Sequence, residues 1–113
     1  MRKTAAKNSK PMVRRSGNIY AQLRLPNPEE RQLKSQLMHV FNDAVSRMGL
    51  NQADAADRVG INQADVSRIF HGQGSRFSVE RLMSVIGRLG IDIDIKQIHD
   101  EHGAIVYRVM ELA

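Results

Sequence analysis

Amide and carboxylate side chains recur at a fixed spacing in residues 51–72, where they can hydrogen-bond either a helix end or the edge of a base. The word Asn-Gln-Ala-Asp occurs there twice, at 51–54 and at 62–65, and Gly60 lies between the copies. An Asn followed three residues later by Asp is a variant of the capping box, in which the acid reaches back to the cap amide. Two short capped helices hinged at a glycine favour a helix-turn-helix, a common device for placing a helix in the major groove of DNA.

The whole segment resembles the helix-turn-helix of the Cro/C1-type (Xre) family. That pattern opens its first helix with Gln, has Ala inside it, turns at Gly and an aliphatic residue, opens its second helix with Gln, and ends with Val-Ser and a later Gly. The matching residues are Gln52, Ala56, Gly60, Ile61, Gln63, Val66, Ser67 and Gly72. Phe70 departs from the pattern, since many members carry an acid there, and we expect it to pack against the domain. The resemblance implies a lambda-repressor-like fold that binds double-stranded DNA sequence-specifically.

In this family the second helix is the reading helix, so its first turns are expected to meet base edges in the major groove. Gln63 can pair bidentately with adenine, Arg68 can pair with guanine, and Ala64 can contact a thymine methyl. Asn62 and Ser67 could reach a base or a phosphate. Two alternatives stay open, because Asn62 could serve only as a helix cap and Arg68 could be a solvated charge.

Contacts to DNA phosphates are expected at two places beside the reading helix. Gln52 opens the first helix, where its side chain and the neighbouring amides lie at the positive end of the helix dipole. Ser75 and Arg76 follow the reading helix and Ser78 begins the next one, with ordinary capping and loop polarity as the alternative. Asp65 is interpreted as a cap partner of the second helix rather than as a reader of cytosine.

Helix signals around this segment predict a helix-turn-helix domain over residues 27–90. Asn27, as a cap, together with the proline and two acids that follow, begins a helix that should run to about Met48. Ser78 begins another helix, which Gly90 should end. The expected inward residues of these two helices are Leu33, Leu37, Val40, Phe41, Ala44, Val45 and Met48, then Val79, Leu82, Met83, Ile86 and Leu89.

The apolar period changes after residue 90, where alternation of apolar and polar residues predicts strands. One strand is expected over Ile91–Lys96 and a second from Ala104 to about Met110. The fold class is therefore mainly α, a lambda-repressor-like bundle of four to five helices with a C-terminal two-stranded β-hairpin. An isolated hairpin is marginal in water, so residues 91–113 should pack on the helices or pair with another subunit, which makes them the candidate dimerisation element.

Positive charge is concentrated at the start of the chain. Residues 1–26 hold seven Lys or Arg and no acid, whereas the whole chain carries +5, so the other 87 residues carry −2. Residues 1–17 are polar and aperiodic, which predicts a disordered basic tail, and residues 18–26 are expected to be an extended segment that packs on the domain or on a partner. Because the domain itself is slightly acidic, one copy should bind DNA weakly, and we expect a homodimer on a palindromic operator.

Residues 17–30, together with the helical domain and the strand after Gly90, resemble the HigA-type antitoxin branch of the Xre family. This resemblance covers roughly residues 17–96 and implies an autorepressor that binds and neutralises a RelE-like ribonuclease toxin. The apolar residues that could contact the toxin are Ile19, Tyr20, Leu23 and Leu25. Two alternatives remain: a stand-alone regulator of phage or metabolic genes without a toxin, and an RNA- or ribosome-associated protein that acts through its basic tail.

Other functional classes lack the residues they need. The chain has no cysteine, which excludes disulfides and thiolate metal sites. No apolar run is long enough for a membrane span or a signal peptide, so a cytoplasmic location is expected. His99 and His102 flank two acids in the predicted hairpin loop, but no further ligand is indicated elsewhere. We therefore expect no metal, no cofactor and no catalysis.

Overall fold

The computed structural model describes residues 27–112. The predicted basic tail and extended segment, with the four possible toxin contacts, lie outside the described residues. The elements in chain order are α1 (Pro28–Arg47), α2 (Gln52–Val59), α3 (Gln63–Phe70), a 3-10 turn (Gly74–Arg76), α4 (Val79–Arg88), β1 (Ile93–His99) and β2 (Ile105–Glu111). This architecture confirms the mainly α fold with a C-terminal hairpin. Within residues 27–112, no helix is both long and apolar enough to cross a membrane.

The start of α1 differs from the prediction. Asn27 has φ 52 and ψ 54, and its side chain makes no cap hydrogen bond, so its predicted role as a side-chain cap is wrong. A capping side chain needs an extended backbone at that residue, and the left-handed conformation does not provide it. The helix begins instead on Pro28, whose missing N–H costs nothing in the first turn, with Glu29 and Glu30 near the positive end of the dipole.

One hydrophobic core joins the four described helices. Its fully buried side chains include Leu37, Phe41, Val45, Val59, Val66, Ile69, Phe77, Leu82, Val85 and Ile86. Two predicted core residues are exposed, because Met48 has 37% and Met83 has 41% of its surface accessible. Met48 lies beyond the last turn of α1, where the chain leaves the helix through Gly49, and Leu50 packs against the core in its place. Met83 is rotated off the inward stripe that Leu82 begins.

The hairpin begins and ends later than expected. β1 runs antiparallel to β2 in a register that pairs Ile93 with Glu111, Ile95 with Val109 and His99 with Ile105. His99 therefore belongs to the strand, although the sequence suggested a loop there, because β2 supplies pairing partners up to this point. Asp100 closes the turn, and its Oδ1 accepts from His102 N at 2.8 Å and from Ala104 N at 3.0 Å.

The hairpin packs on α1 through both apolar and polar contacts. Ile93, Ile95, Tyr107 and Val109 are half-buried against the core. On the edge of β2 that faces away from β1, Gln32 and Gln36 of α1 hydrogen-bond the strand backbone. Packing on the helices was one of the two outcomes that the sequence predicted for this element.

Candidate nucleic-acid interface

The turn between α2 and α3 is built around Gly60. Its φ of 74 is left-handed, a conformation that glycine adopts without steric cost. The carbonyl of Ala56 accepts from Gly60 N at 2.8 Å and from Ile61 N at 3.1 Å, so it closes the end of α2. Arg88 of α4 adds a hydrogen bond from Nη1 to the Val59 carbonyl at 2.8 Å. Two backbone bonds and one side-chain bond thus fix the end of α2 and the turn that leads into α3.

The first turn of α3 is capped and open to solvent. Asn62 Oδ1 accepts from Asp65 N at 2.7 Å, which confirms the predicted cap. Asn62, Gln63 and Ala64 are exposed, whereas Val66 and Ile69 on the opposite face are fully buried. The helix therefore anchors one face in the core and presents the amide of Gln63 and the methyl of Ala64 outward.

The same cap chemistry occurs at α2. Asn51 Oδ1 accepts from Asp54 N at 2.8 Å, so both copies of the repeated word cap a helix through their asparagine. Gln52 follows in the first turn and is half-exposed. Gln52 thus lies in the first turn of α2 as predicted, and its contact with a phosphate stays a prediction.

Asp65 has a different role from the one predicted. Its carboxylate does not return to the cap amide; Oδ1 accepts from Arg68 Nη1 at 2.7 Å and Oδ2 accepts from Arg81 Nη2 at 2.9 Å. The side chain is only 12% exposed. Burial alone would raise the pKa of the Asp65 carboxyl, but the two guanidinium groups outweigh burial and hold that pKa below its usual value. Two well-placed cations compete successfully for the carboxylate that could otherwise serve the cap.

Arg68 is consequently held in place rather than solvated as a free charge. Its side chain is 31% exposed and uses Nη1 for Asp65. A guanidinium has five N–H donors in a planar fork, so the other donors remain for an outside acceptor. Asp65 fixes the orientation of the group on the second turn of α3, next to Ser67, which is half-exposed.

Arg81 is a member of this site that the sequence analysis missed. It lies sixteen positions beyond Asp65, and only the tertiary fold brings the two together, since α3 and α4 both pack on α1. Its guanidinium also lies over the Phe77 ring, 5.1 Å from the centroid. No local spacing signal could have identified it, because the ion pair depends on the angle between two helices.

The remaining predicted phosphate contacts surround the start of α4. Ser75 and Arg76 lie exposed in the 3-10 turn. Ser78 caps α4, because its Oγ accepts from Arg81 N at 3.0 Å, so the capping alternative is confirmed for this residue. The Asp65–Arg81 pair joins the first turn of α4 to the first turn of α3. Gln52 is contributed separately by α2.

His71 at the end of α3 is a second residue that the sequence analysis left out. Its Nδ1 lies 2.7 Å from the Ser67 carbonyl, and because a carbonyl can only accept, Nδ1 carries the hydrogen. Nε2 is then the ring nitrogen left for other partners. Among the described residues, no group of three His, Asp or Glu side chains is arranged to hold a metal ion.

Comparisons with known proteins agree with this geometry. The family model described as a helix-turn-helix domain matches residues 19–97. Among solved structures, one that carries the name of an XRE-family transcriptional regulator is 38% identical, with a TM-score of 0.62, and the match covers 78% of this chain and 99% of that one. No curated protein matches the chain in sequence.

Proposed function

The chain belongs to the Xre-type helix-turn-helix family of DNA-binding transcriptional regulators, and we propose that it is a dimeric repressor that reads a palindromic operator with α3. The observation that carries the proposal is the first turn of α3. Its cap is satisfied by Asn62, its opposite face is buried, and Gln63 and Ala64 are exposed. A helix anchored in this way can enter the major groove without losing its packing on the core.

Each exposed side chain of α3 has a suitable partner on a base edge. Gln63 offers one donor and one acceptor, which matches adenine, and Arg68 offers parallel donors, which match guanine. Ala64 can contact a thymine methyl, and Ser67 or the free amide nitrogen of Asn62 can reach a base or a phosphate. A bidentate pair discriminates by roughly 1–3 kcal/mol, so two of them provide most of the specificity of a half-site.

Backbone contacts would fix the position of α3 in the groove. Gln52 and the amides at the start of α2 can hold a phosphate on one side of the reading helix. Ser75, Arg76 and Ser78 can hold a phosphate on the other side, because the Asp65–Arg81 pair sets the start of α4 beside α3. Two copies with their reading helices about 34 Å apart would cover successive major grooves of a palindrome.

A gel shift on the chain's own upstream region tests this assignment. The double variant Gln63→Ala, Arg68→Ala removes both bidentate contacts, and a loss of about 2 kcal/mol or more predicts at least about 30-fold weaker operator binding. Arg58→Ala is the matched control, because it removes the same charge from an exposed position in the last turn of α2. Equal operator binding by the double variant and the control would refute α3 as the reading helix.

The repressor that we propose is an antitoxin, the autorepressor of a RelE-like ribonuclease toxin. Support comes from the resemblance of residues 17–30 to the HigA-type branch, and the family match begins inside that segment, at residue 19. Ile19, Tyr20, Leu23 and Leu25 are the apolar residues of that segment that we propose contact the toxin. A stand-alone regulator would use the same DNA contacts and would have no toxin.

Co-expression with the product of the adjacent reading frame tests the antitoxin role. We expect a small basic protein that arrests growth alone, co-purifies with this chain, and is released by Tyr20→Ala with Leu23→Ala. The double variant of α3 described above serves as the control, since it should keep the toxin and lose the operator. An adjacent frame that encodes no such protein, or one that fails to co-purify, would favour the stand-alone regulator.

A further inference from the structure

Among residues 27–112, the helical domain hydrogen-bonds the outer edge of β2 and leaves the outer edge of β1 uncovered. On the outer edge of β2, Gln32 Oε1 accepts from Tyr107 N at 2.9 Å and Gln32 Nε2 donates to Tyr107 O at 2.7 Å. Gln36 Oε1 accepts from Val109 N at 2.7 Å, and Gln36 Nε2 also donates to Tyr107 O. Side chains of α1 thus occupy this edge as a neighbouring strand would.

The outer edge of β1 has no such cover among residues 27–112, where β1 pairs with β2 alone. In an antiparallel pair, the backbone N–H and C=O of successive residues point alternately toward the partner strand and away from it. Tyr107 and Val109 face away from β1, so their opposite residues Gln97 and Ile95 also direct N–H and C=O outward. A seven-residue edge with free, regularly spaced backbone groups is a template for another strand.

We propose that a second copy of this chain pairs along this edge, β1 antiparallel to β1, with the two-fold axis passing between the two Ile95 residues. The pairing produces a continuous four-stranded sheet. This inference rests on the dimeric repressor proposed above and specifies the surface and register that make the dimer.

Charge decides the register. Only alternate residues of β1 direct their backbone groups outward, so the two strands can pair only in registers that set these residues opposite each other. Three such two-fold registers pair at least five residues of each β1 strand, and their axes lie at Ile95, Lys96 or Gln97. An axis at Lys96 sets Lys96 opposite Lys96 of the second copy, and like charges directly opposite each other are unfavourable. An axis at Gln97 sets Lys96 opposite Ile98. An axis at Ile95 sets Asp94 opposite Lys96 twice, so both charges are paired.

The Ile95 register also offsets a cluster of positive charge within each hairpin. Lys96 lies directly opposite Arg108 on the solvent face of the sheet, and both are exposed. In the dimer, Asp94 of the second copy lies on the other side of Lys96. On the face toward the helices, the two half-buried Ile95 side chains meet at the axis. Both helical domains then stand on the same face of the sheet, related by the symmetry that a palindromic operator requires.

Single cysteines test the register directly, because the full chain contains none. Residues opposite each other in a hydrogen-bonded pair have Cα atoms about 5.5 Å apart, inside the range that a disulfide spans. An offset of two residues raises this distance to about 8 Å, which is too long. Under mild oxidation of the full chain, Ile95→Cys should give mostly a linked dimer, whereas Lys96→Cys and Gln97→Cys should stay largely unlinked. Preferential linkage of either control variant, or comparable linkage of all three, overturns the register.

Charge exchange gives a second, independent readout. Asp94→Lys places lysines opposite lysines in the dimer, and we expect sedimentation equilibrium to show a dissociation constant about tenfold higher than wild type. Adding Lys96→Asp to the same chain restores two opposite-charge pairs and should recover the wild-type value within about threefold. Both positions are exposed in the described fold, so the helical domain should be unaffected. A double variant that dimerises no better than the single one overturns the proposal.

The outcomes separate this inference from the proposed function. If the wild-type chain dimerises and binds its operator duplex but Ile95→Cys does not link, the edge assignment is wrong and the repressor stands. A wild-type chain that sediments as a monomer while its β1 edge amides resist hydrogen exchange would show that the edge is covered within a single chain, which also overturns the proposal. If no operator binding is found while Ile95→Cys links, the proposed function fails and the interface stands.

Discussion

Replacement of Asp65 by Asn should separate the stability of the domain from its DNA specificity. The carboxylate accepts from Arg68 and Arg81 at 2.7 Å and 2.9 Å. Asparagine keeps one acceptor oxygen, and its amide hydrogens face the other guanidinium. Charged hydrogen bonds contribute roughly 1.5–3 kcal/mol, so we expect the free energy of unfolding to fall by about 2 kcal/mol and Tm by about 10 °C.

The repeated word supplies a matched control for this substitution. Asp54 occupies the same position after the cap of α2 and is exposed. Asp54→Asn removes the same first-turn charge, which is worth about 0.3–1 kcal/mol through the helix dipole. The difference between the two variants in urea unfolding therefore isolates the contribution of the Asp65 ion pairs.

The difference in stability between wild type and Asp65→Asn should depend on pH in a defined direction. The folded-state pKa of Asp65 is lowered, so its stabilisation is complete above the unfolded-state pKa near 3.9 and is lost as pH falls through the folded value. The stability gap between wild type and Asp65→Asn should be constant from about pH 5 to 7 and should close below about pH 4. A gap that widens in acid would contradict the assignment.

Asp65→Asn should lower the stability of the domain but raise its affinity for DNA of random sequence. Releasing Arg68 and Arg81 from Asp65 adds one net positive charge beside the reading helix, so affinity for random duplex should rise by up to about tenfold at 0.1 M salt. Operator binding loses the fixed orientation of Arg68, so the operator-to-random ratio should fall about tenfold. If Asp65→Asn and Asp54→Asn have equal stability and the ratio is unchanged, the positioning argument is refuted.

Three further predictions follow from separate features of the chain. Gly60→Ala forces a side chain into a left-handed position and should cost about 1–2 kcal/mol, whereas Gly87→Ala, in helix α4 with open space around it, should stabilise by about 0.5–1 kcal/mol; a denaturation series in which both have the same sign would contradict this. Gln32→Ala leaves Tyr107 N without its acceptor, although Gln36 still donates to Tyr107 O, and should destabilise by about 1–3 kcal/mol, with faster hydrogen exchange at Tyr107 N; unchanged exchange would argue against the edge contact. Deleting residues 1–17, which hold six basic residues, should reduce the slope of log affinity against log salt by up to about 5 in filter binding, and an identical slope would exclude the tail from DNA.

The features that the sequence predicted well are those decided within a few residues. Asn51, Asn62 and Ser78 each cap a helix, because an extended residue with a short polar side chain satisfies nearby amides wherever the rest of the chain lies. Gly60 is left-handed for an equally local reason. These local signals predicted α3 and the turn before it correctly.

The sequence-based predictions were wrong or incomplete where a side chain binds a partner from a distant part of the chain. Asp54 and Asp65 stand in identical words, yet only Asp65 lies within reach of Arg81, and the guanidinium changes its role. The apolar periodicity of α1 gives no sign of the role of Gln32, because its hydrogen-bond partner Tyr107 lies 75 positions away in the sequence. The backbone conformation of Asn27 was equally out of reach of a rule based on residue type.

The two glutamines of α1 have a consequence for stoichiometry. A two-stranded sheet with both edges free could add copies at each end and grow into an open-ended fibre. Here Gln32 and Gln36 occupy one edge, so in the dimer that we propose strand addition takes place at the other edge and stops once two chains have met. A helix that contributes to the core thus also limits strand-mediated assembly to a closed pair, which keeps a regulator from polymerising at high local concentration.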